Sequence, residues 1–157
     1  MEFVRAYIQA MPLITDLRER RLAIVREHMQ SENSHDFDVT IATFDHPRYE
    51  IIPTGDVYDG ADEVAEYFRI TRSAFPDQRN ENTILHVAED AVIAEFDLLG
   101  THEGELRGIP ATGKSFRYRV CALFLFEADG DHIVCERVYF DQATIARQLL
   151  GGDGAAA

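Results

Sequence analysis

Four segments in the second half of the chain alternate apolar and polar residues with a period of two, as half-buried β-strands do. Turns rich in aspartate and glycine separate these segments, which favours antiparallel pairing between neighbours. The first half instead carries amphipathic helical patterns and one short strand pattern over residues 48–52. Helices first and strands afterwards predict an α+β fold in which helices cover one face of a curved sheet. The predicted strands are 78–87, 91–102, 115–127 and 132–140, and the predicted helices are 13–33, 37–44, 60–75 and 142–150.

Length and charge narrow the class of protein. The chain has 157 residues, of which 46% are hydrophobic, and this suits one domain over residues 1–150 with a flexible tail over 151–157. A formal net charge of −13 repels polyphosphates, so we expect no nucleic-acid partner. No apolar run approaches the roughly 20 residues that a membrane span needs. Residues 1–12 lack the pattern of a secretory signal, so we expect a soluble, cytoplasmic protein without a membrane partner.

The two cysteines are predicted to be free thiols. Cys121 and Cys135 lie in neighbouring predicted strands around the turn residues 129–131. If the connecting loop has two residues, facing positions have an odd sum, and the two thiols then lie on opposite faces of the sheet. A disulfide between them is therefore not expected.

One motif resembles a phosphate-binding loop. The residues from Gly108 to Ser115 match the pattern G-x-x-x-x-G-K-[ST]. A phosphate-binding loop opens a helix, whereas a strand pattern follows here, and Pro110 removes one of the backbone N–H groups that would cradle a phosphate. We interpret the segment as a connection between two strands.

Metal-ligand spacing is absent from the sequence. The six histidines form no H-x-H or H-E-x-x-H pattern. Glu32, Asp36 and Asp38 could meet a cation, but a solvated acidic helix end is the better interpretation. We therefore expect no metal.

Several polar residues occupy strand positions whose side chains should lie on the same face as the apolar residues. This arrangement predicts a small-molecule pocket. His102 has the parity of the apolar residues of its strand, Phe96 among them. With a two-residue loop before the last strand, Arg137, Tyr139 and Asp141 would share a face with Tyr118 and Phe124. An aspartate, a histidine, an arginine and aromatic rings on one concave face are typical of a ligand site.

Each of these residues also has an ordinary structural role open to it. Asp141 directly precedes the last helix and suits its N-cap. Arg137 could simply neutralise Asp141 or pair with a group near Glu136, and His102 could be a hydrogen-bonded histidine at a strand end. Tyr118 and Tyr139 could be core aromatic residues.

Several motifs together resemble a known family. The most specific are Gly100-Thr101-His102-x-Gly104-Glu105, the Gly-Ile-Pro-x-Thr-Gly-Lys run over residues 108–114, and Glu136-Arg137-x-Tyr139-x-Asp141. From Phe44 to Leu150 the chain looks like a SnoaL-like polyketide cyclase or ester cyclase of the NTF2-like superfamily. The resemblance implies a conical, cystatin-like barrel with a curved, mainly antiparallel sheet, N-terminal helices over its concave face and one deep pocket.

The resemblance also implies a function. It points to a cofactor-independent cyclase or isomerase acting on a hydrophobic carbonyl compound, with Asp141 as acid–base residue and His102 as a second catalytic residue. Arg137, Tyr118, Tyr139, Phe96 and Phe124 would bind the substrate, and two copies would pair through the sheet as a homodimer. Two alternatives stay open, namely hydrolysis by a carboxylate-activated water, with Arg137 as orienter, and a non-catalytic ligand-binding or dimerisation module.

Overall fold

The computed structural model describes residues 16–151, which form helices and strands in the predicted order. The α+β prediction is confirmed, and one short strand, Asp56–Asp59, was not predicted. The helices are α1 (Leu17–Ser34), α2 (Phe37–Ala42), α3 (Ala61–Ala74) and α4 (Gln142–Leu150). The strands are β1 (Arg48–Ile51), β2 (Asp56–Asp59), β3 (Arg79–Val87), β4 (Ala91–Thr101), β5 (Ser115–Leu125) and β6 (Cys135–Phe140). The predicted start of the first helix, residues 13–15, and residues 152–157 of the expected tail lie outside the described part.

The six described strands form one sheet in the order β2-β1-β6-β5-β4-β3. All neighbours are antiparallel except β1 and β6, which run parallel. Strands β4 and β5 pair along their whole length, from Ala91 opposite Leu125 to Thr101 opposite Ser115. This long hairpin forms the centre of the sheet, and most positions on its inner face carry buried apolar residues.

Helices α1 and α3 supply apolar residues to the core that this inner face shares. Asp16 caps α1 by accepting from the backbone N–H of Arg18. Val25 of α1 and Val64 and Phe68 of α3 are almost completely buried. Among the helices within residues 16–151, none combines the length and apolarity that a membrane span requires.

The connection between β5 and β6 differs from the predicted two-residue loop. Nine residues, 126–134, separate the two strands, and the register places Glu136 opposite Phe124 and Val138 opposite Ala122. Facing positions therefore have an even sum. Because side chains alternate along a strand, the inward positions of β6 are 136, 138 and 140, and the predicted inward positions 137 and 139 face the other side.

The same register corrects the prediction for the cysteines. Cys121 lies opposite Tyr139, and Cys135 lies opposite Leu125, so the two cysteines share one face of the sheet instead of lying on opposite faces. They are four positions apart along the strands, about 13 Å at the usual rise per residue. Both thiols are free, as predicted, but the reason is this separation.

Candidate functional site

A cavity of about 290 Å³ lies over the inner face of the sheet. Strands β1, β4, β5 and β6 supply one set of lining residues, and helices α3 and α4 supply another. Polar residues interrupt the apolar lining at several points, Asp56, Gln78 and Arg107 among them. Two further groups of polar residues are called the polar stations here: one contains His102, which follows β4, and the other contains Glu136, the inward residue at the start of β6.

The backbone holds His102 firmly at the end of the β4–β5 hairpin. Its N–H donates to the carbonyl of Lys114, and its own carbonyl accepts from the N–H of Gly113. Gly104 packs directly on the end of α3, where an added Cβ would lie 2.1 Å from the carbonyl oxygen of Ser73. These contacts fix the loop that carries the imidazole. Strand β5 begins at Ser115, which confirms that residues 108–115 connect two strands instead of opening a helix.

The His102 ring is 1% exposed and lines the cavity. Its Nδ1 lies 3.1 Å from Oγ1 of Thr112, which also accepts from the backbone N–H of Lys114. No described residue bonds to the buried Nε2 atom. Thr112 can accept a proton from Nδ1, and in that tautomer the unpartnered Nε2 atom carries a lone pair.

Tyr118 and Phe96 also line the cavity, as predicted from their strand positions. Among residues 16–151 the Tyr118 hydroxyl has no hydrogen-bond partner, and burial raises its pKa above the ordinary value. The hydroxyl therefore stays protonated at neutral pH. It can donate to an oxygen atom of a bound molecule.

The second polar station joins α1 to β1 and β6. Nε2 of His28 lies 3.0 Å from the Tyr49 hydroxyl, 3.1 Å from Oε2 of Glu136 and 3.8 Å from Oε1 of Glu32. The Tyr49 hydroxyl donates to Glu32 at 3.3 Å. His28 is fully buried, and the side chains of Glu136 and Glu32 are only 6% and 16% exposed.

The electrostatics of this station favour a positive charge between the two carboxylates. Burial opposes protonation of His28, but Glu136 and Glu32 outweigh it and raise the pKa of the ring. Burial and the neighbouring Glu136 raise the pKa of Glu32. Among the described residues, these three are the group whose ligand atoms, all within 4.8 Å of one another, could hold a metal ion.

Sequence reasoning missed this station. Glu32 was interpreted together with Asp36 and Asp38 as an acidic helix end, but only the two aspartates are exposed, and Glu32 turns inward. The available signal was that His28 and Glu32 lie one helical turn apart, with His28 on the apolar face of α1.

Four of the predicted pocket residues lie elsewhere. Phe124 is buried against the His28 ring, with ring centroids 5.1 Å apart, and does not line the cavity. Arg137 donates to Glu50 at 2.6 Å, and Tyr139 is 40% exposed. Asp141 caps α4 instead of facing inward, since it accepts from the Ala143 N–H, and its side chain is 64% exposed. The assumed loop length reversed the faces of β6 and so misplaced Arg137, Tyr139 and Asp141.

Comparison with models of known protein families identifies the family of this chain. The family described as SnoaL-like polyketide cyclase matches residues 23–149, which is most of the sequence. The chain belongs to the SnoaL-like polyketide cyclase family. No curated protein matches this SnoaL-like chain.

Solved structures agree on the NTF2-like fold. A protein of Jannaschia sp. CCS1, proposed to be a SnoaL-like polyketide cyclase, has a TM-score of 0.78 at 15% identity over 88% of this chain and 96% of its own. TsrD of Streptomyces laurentii has a TM-score of 0.71 at 23% identity, covering 86% and 98%. IdmH of Streptomyces antibioticus, proposed to be a polyketide cyclase, has a TM-score of 0.69 at 20% identity, covering 82% and 97%. At these identities the comparison shows the fold.

The position of Asp141 gives a stability prediction for this SnoaL-like chain. Replacing it by alanine removes the side-chain acceptor for the Ala143 N–H and the Thr144 hydroxyl, so we expect a loss of about 1 kcal/mol in the free energy of unfolding. Asp141→Asn retains a capping side chain and is expected to lose less. Urea unfolding measures both values. If Asp141→Ala instead impairs ligand binding at unchanged stability, the outward placement of this side chain is wrong.

Proposed function

We propose that the chain is a cyclase or isomerase that moves a proton on a hydrophobic carbonyl compound held in the cavity, with His102 as the acid–base residue. The observation that carries this proposal is that His102 lines the cavity and that its buried Nε2 atom has no hydrogen-bond partner among residues 16–151. Membership of the SnoaL-like family supports the reaction class. Buried polar atoms without partners are rare, and one that belongs to a cavity-lining residue is a candidate for contact with a bound molecule.

The proposed step begins with Nε2 of His102 taking a proton from the carbon next to the carbonyl group. The electron pair of that C–H bond moves to the carbonyl oxygen and gives an enolate. In an isomerisation, the His102 imidazolium returns the proton to another carbon of the same conjugated system. In an aldol closure, the enolate carbon attacks a second carbonyl carbon of the same molecule, and the proton goes to the new alkoxide.

Tyr118 supplies the proposed stabilisation of the enolate oxygen. Tyr118 lines the cavity, and its hydroxyl is protonated at neutral pH and has no internal partner among the described residues. One positioned donor at a developing oxyanion lowers a barrier by about 3 kcal/mol in a dry site. Phe96 and the neighbouring apolar residues Leu98 and Val120 would bind the uncharged part of the substrate.

The structure supports the two alternative functions to different degrees. Hydrolysis by a carboxylate-activated water loses its expected orienting residue, because Arg137 pairs with Glu50 and does not line the cavity. A non-catalytic ligand-binding protein would use the same cavity and would differ only in leaving the bound molecule unchanged. Proton exchange on a bound molecule therefore separates binding from catalysis.

The experiment incubates the protein in D₂O with a panel of hydrophobic ketones and β-keto esters. Mass spectrometry follows deuterium entering the carbon next to the carbonyl, and cyclised or isomerised products are identified in the same samples. We expect catalysed exchange with at least one compound that binds. Binding of panel members without exchange or product would contradict the proposal in favour of a binding protein.

A cavity-blocking pair of variants shows whether the reaction takes place in this cavity. Val138 lines the cavity, whereas its neighbour Tyr139 faces the other side of the sheet. Val138→Trp is expected to reduce ligand affinity and exchange by at least about 50-fold, because the indole would occupy the space of the substrate. Tyr139→Trp makes the adjacent change outside the cavity and should match the wild type. Circular dichroism and thermal unfolding check that both variants fold, and equal loss in the two would place the reaction elsewhere.

A further inference from the structure

The station of His28, Glu32 and Glu136 is not used by the proposed proton transfer, and its ligand atoms converge. His28 and Glu32 come from neighbouring turns of α1, and Glu136 comes from the start of β6, so secondary structure positions all three. Nε2 of His28 lies 3.1 Å from Glu136 and 3.8 Å from Glu32. The Tyr49 hydroxyl is a further oxygen 3.0 Å from the same nitrogen.

A hydrogen bond at Nδ1, on the opposite edge of the ring from Nε2, fixes the orientation of His28. Its Nδ1 lies 2.9 Å from the Thr43 hydroxyl, which donates its own hydrogen to the carbonyl of Thr40 at 2.6 Å. Thr43 can therefore only accept from Nδ1, and the neutral ring carries its proton there. Metal-binding histidines are commonly held in this way, with one nitrogen donating to a fixed acceptor and the other directed to the metal.

The short distance between His28 and Glu136 is favourable only if a proton or a metal cation lies between the two side chains. With the ring proton on Nδ1, Nε2 and Oε2 of Glu136 are both acceptors, yet they lie 3.1 Å apart. Glu136 is 4% exposed, and no described donor makes an aligned hydrogen bond to its Oε2 atom. A buried carboxylate oxygen left in this state is costly, and either a second proton on His28 or a metal cation between the two atoms removes the cost.

We propose that His28, Glu32 and Glu136 bind one divalent transition-metal cation of the Zn²⁺ class. One imidazole nitrogen and two carboxylate oxygens suit Zn²⁺ or Co²⁺, whereas Mg²⁺ and Ca²⁺ prefer oxygen ligands alone. Bonds of about 2.1 Å place neighbouring ligand atoms about 3.0–3.4 Å apart, so the Glu136 distance already fits and Glu32 needs a small side-chain shift.

The proposed ion would retain a coordination position that faces the cavity. Glu32, Tyr49 and Glu136 line the cavity, while His28 lies behind them. Three protein ligands and one open position are the arrangement of metal sites that bind a substrate, and a polar group of a bound molecule would fill that position. The site therefore adds an oxygen- or nitrogen-binding group to a cavity whose other polar station is His102.

The test uses the untagged full chain after EDTA treatment and buffer exchange. Calorimetric titration with ZnCl₂, and absorption in the visible range during titration with CoCl₂, measure stoichiometry and affinity without any substrate. We expect one saturable equivalent of each ion and no comparable binding of MgCl₂. The absence of saturable Zn²⁺ and Co²⁺ binding would overturn the proposal and would assign the positive charge to a second proton on His28.

Variants locate the ion. Glu136→Gln keeps the size of the side chain and is expected to weaken Zn²⁺ binding by on the order of 100-fold, and His28→Gln should do the same. His86→Gln is the control, because His86 is an exposed histidine that also contacts a carboxylate, that of Glu95. Unchanged affinity in both Glu136→Gln and His28→Gln would place the ion elsewhere and overturn the proposal.

Stability of the metal-free protein gives a readout that does not depend on the affinity of the variants. Removing an uncompensated buried carboxylate should leave metal-free Glu136→Gln at least as stable to heat as the wild type, while Zn²⁺ should stabilise only the wild type. Equal Zn²⁺ stabilisation of both proteins would contradict the proposal. His102→Gln should bind Zn²⁺ like the wild type, so failure of this site and failure of the proposed proton transfer are separable.

Discussion

Replacing His102 by glutamine is expected to slow proton exchange on a bound carbonyl compound by on the order of 10²- to 10⁴-fold, the usual contribution of a positioned acid–base residue. Glutamine approximates the length of histidine but has no nitrogen that accepts a proton at neutral pH. Because Phe96 and the other apolar lining residues are untouched, ligand affinity should change little. Isothermal calorimetry and deuterium exchange measure the two quantities separately.

Controls distinguish chemistry from structure in this experiment. His86→Gln changes an exposed histidine on β3 and should exchange protons like the wild type. Thr112→Val removes the acceptor for Nδ1 of His102, so it should lower the exchange rate with little effect on affinity and serves as a second variant if His102→Gln folds poorly. Wild-type exchange by a folded His102→Gln variant would contradict the assigned role.

Replacing Arg21 by methionine is expected to lower the free energy of unfolding by about 3–5 kcal/mol, a large share of the stability of an ordinary domain. Arg21 is 3% exposed, and its guanidinium group lies 4.8 Å from the centre of the Phe126 ring. It donates to four backbone carbonyls at 2.6–3.1 Å, those of Glu89, Glu127, Ala128 and Gly130. Methionine keeps the apolar length of the side chain and leaves all four acceptors without this donor.

The loss of unfolding free energy in Arg21→Met should exceed the loss caused by the same substitution at the neighbouring Arg20. Arg20 is partly exposed and forms an ion pair with Asp131 at 2.9 Å, so Arg20→Met should cost less than about 1 kcal/mol. Arg21→Lys retains the charge but not the planar fork, and an intermediate value is expected. Urea unfolding monitored by circular dichroism gives all three values. Equal losses for Arg20→Met and Arg21→Met would show that the buried hydrogen bonds contribute little.

The order and type of most elements follow from the sequence because their periodicity is strong. The long strands β4 and β5 alternate over eleven residues each, and α3 repeats apolar residues at helical spacing, so all three were predicted close to their observed bounds. Strand β2 has four residues and turn-forming neighbours, and its pattern was too short to separate from a loop. Short strands depend on their partner, here β1, more than on their own residues.

The site was only partly predictable because it depends on register. His102, Tyr118 and Phe96 belong to the β4–β5 hairpin, whose pairing follows from its alternation, and all three line the cavity. The face of β6 depended on the length of the loop before it. Because the predicted face of β6 was the wrong one, Asp141 was expected to face inward and Glu136 was not considered. The contact between Glu136 and His28 depends on strand pairing and on the packing of α1, and sequence alone specifies neither.

Some expectations stay predictions. The sheet-mediated homodimer and the cytoplasmic location concern surfaces and surroundings outside a single described chain. Analytical ultracentrifugation of the full chain would measure the first directly. Neither bears on the assignment of His102.

The protonation of His102 in the free protein tests the central claim most directly. Long-range ¹⁵N–¹H correlation spectra of protein labelled with ¹⁵N at histidine distinguish a ring protonated at Nδ1 from one protonated at Nε2, and comparison with His102→Gln assigns the signal. For the neutral ring the account predicts a proton on Nδ1, which donates to Thr112, and an unprotonated Nε2. A ring protonated at Nε2 could donate a hydrogen bond but could not remove a proton from a bound molecule, and that result would contradict the account.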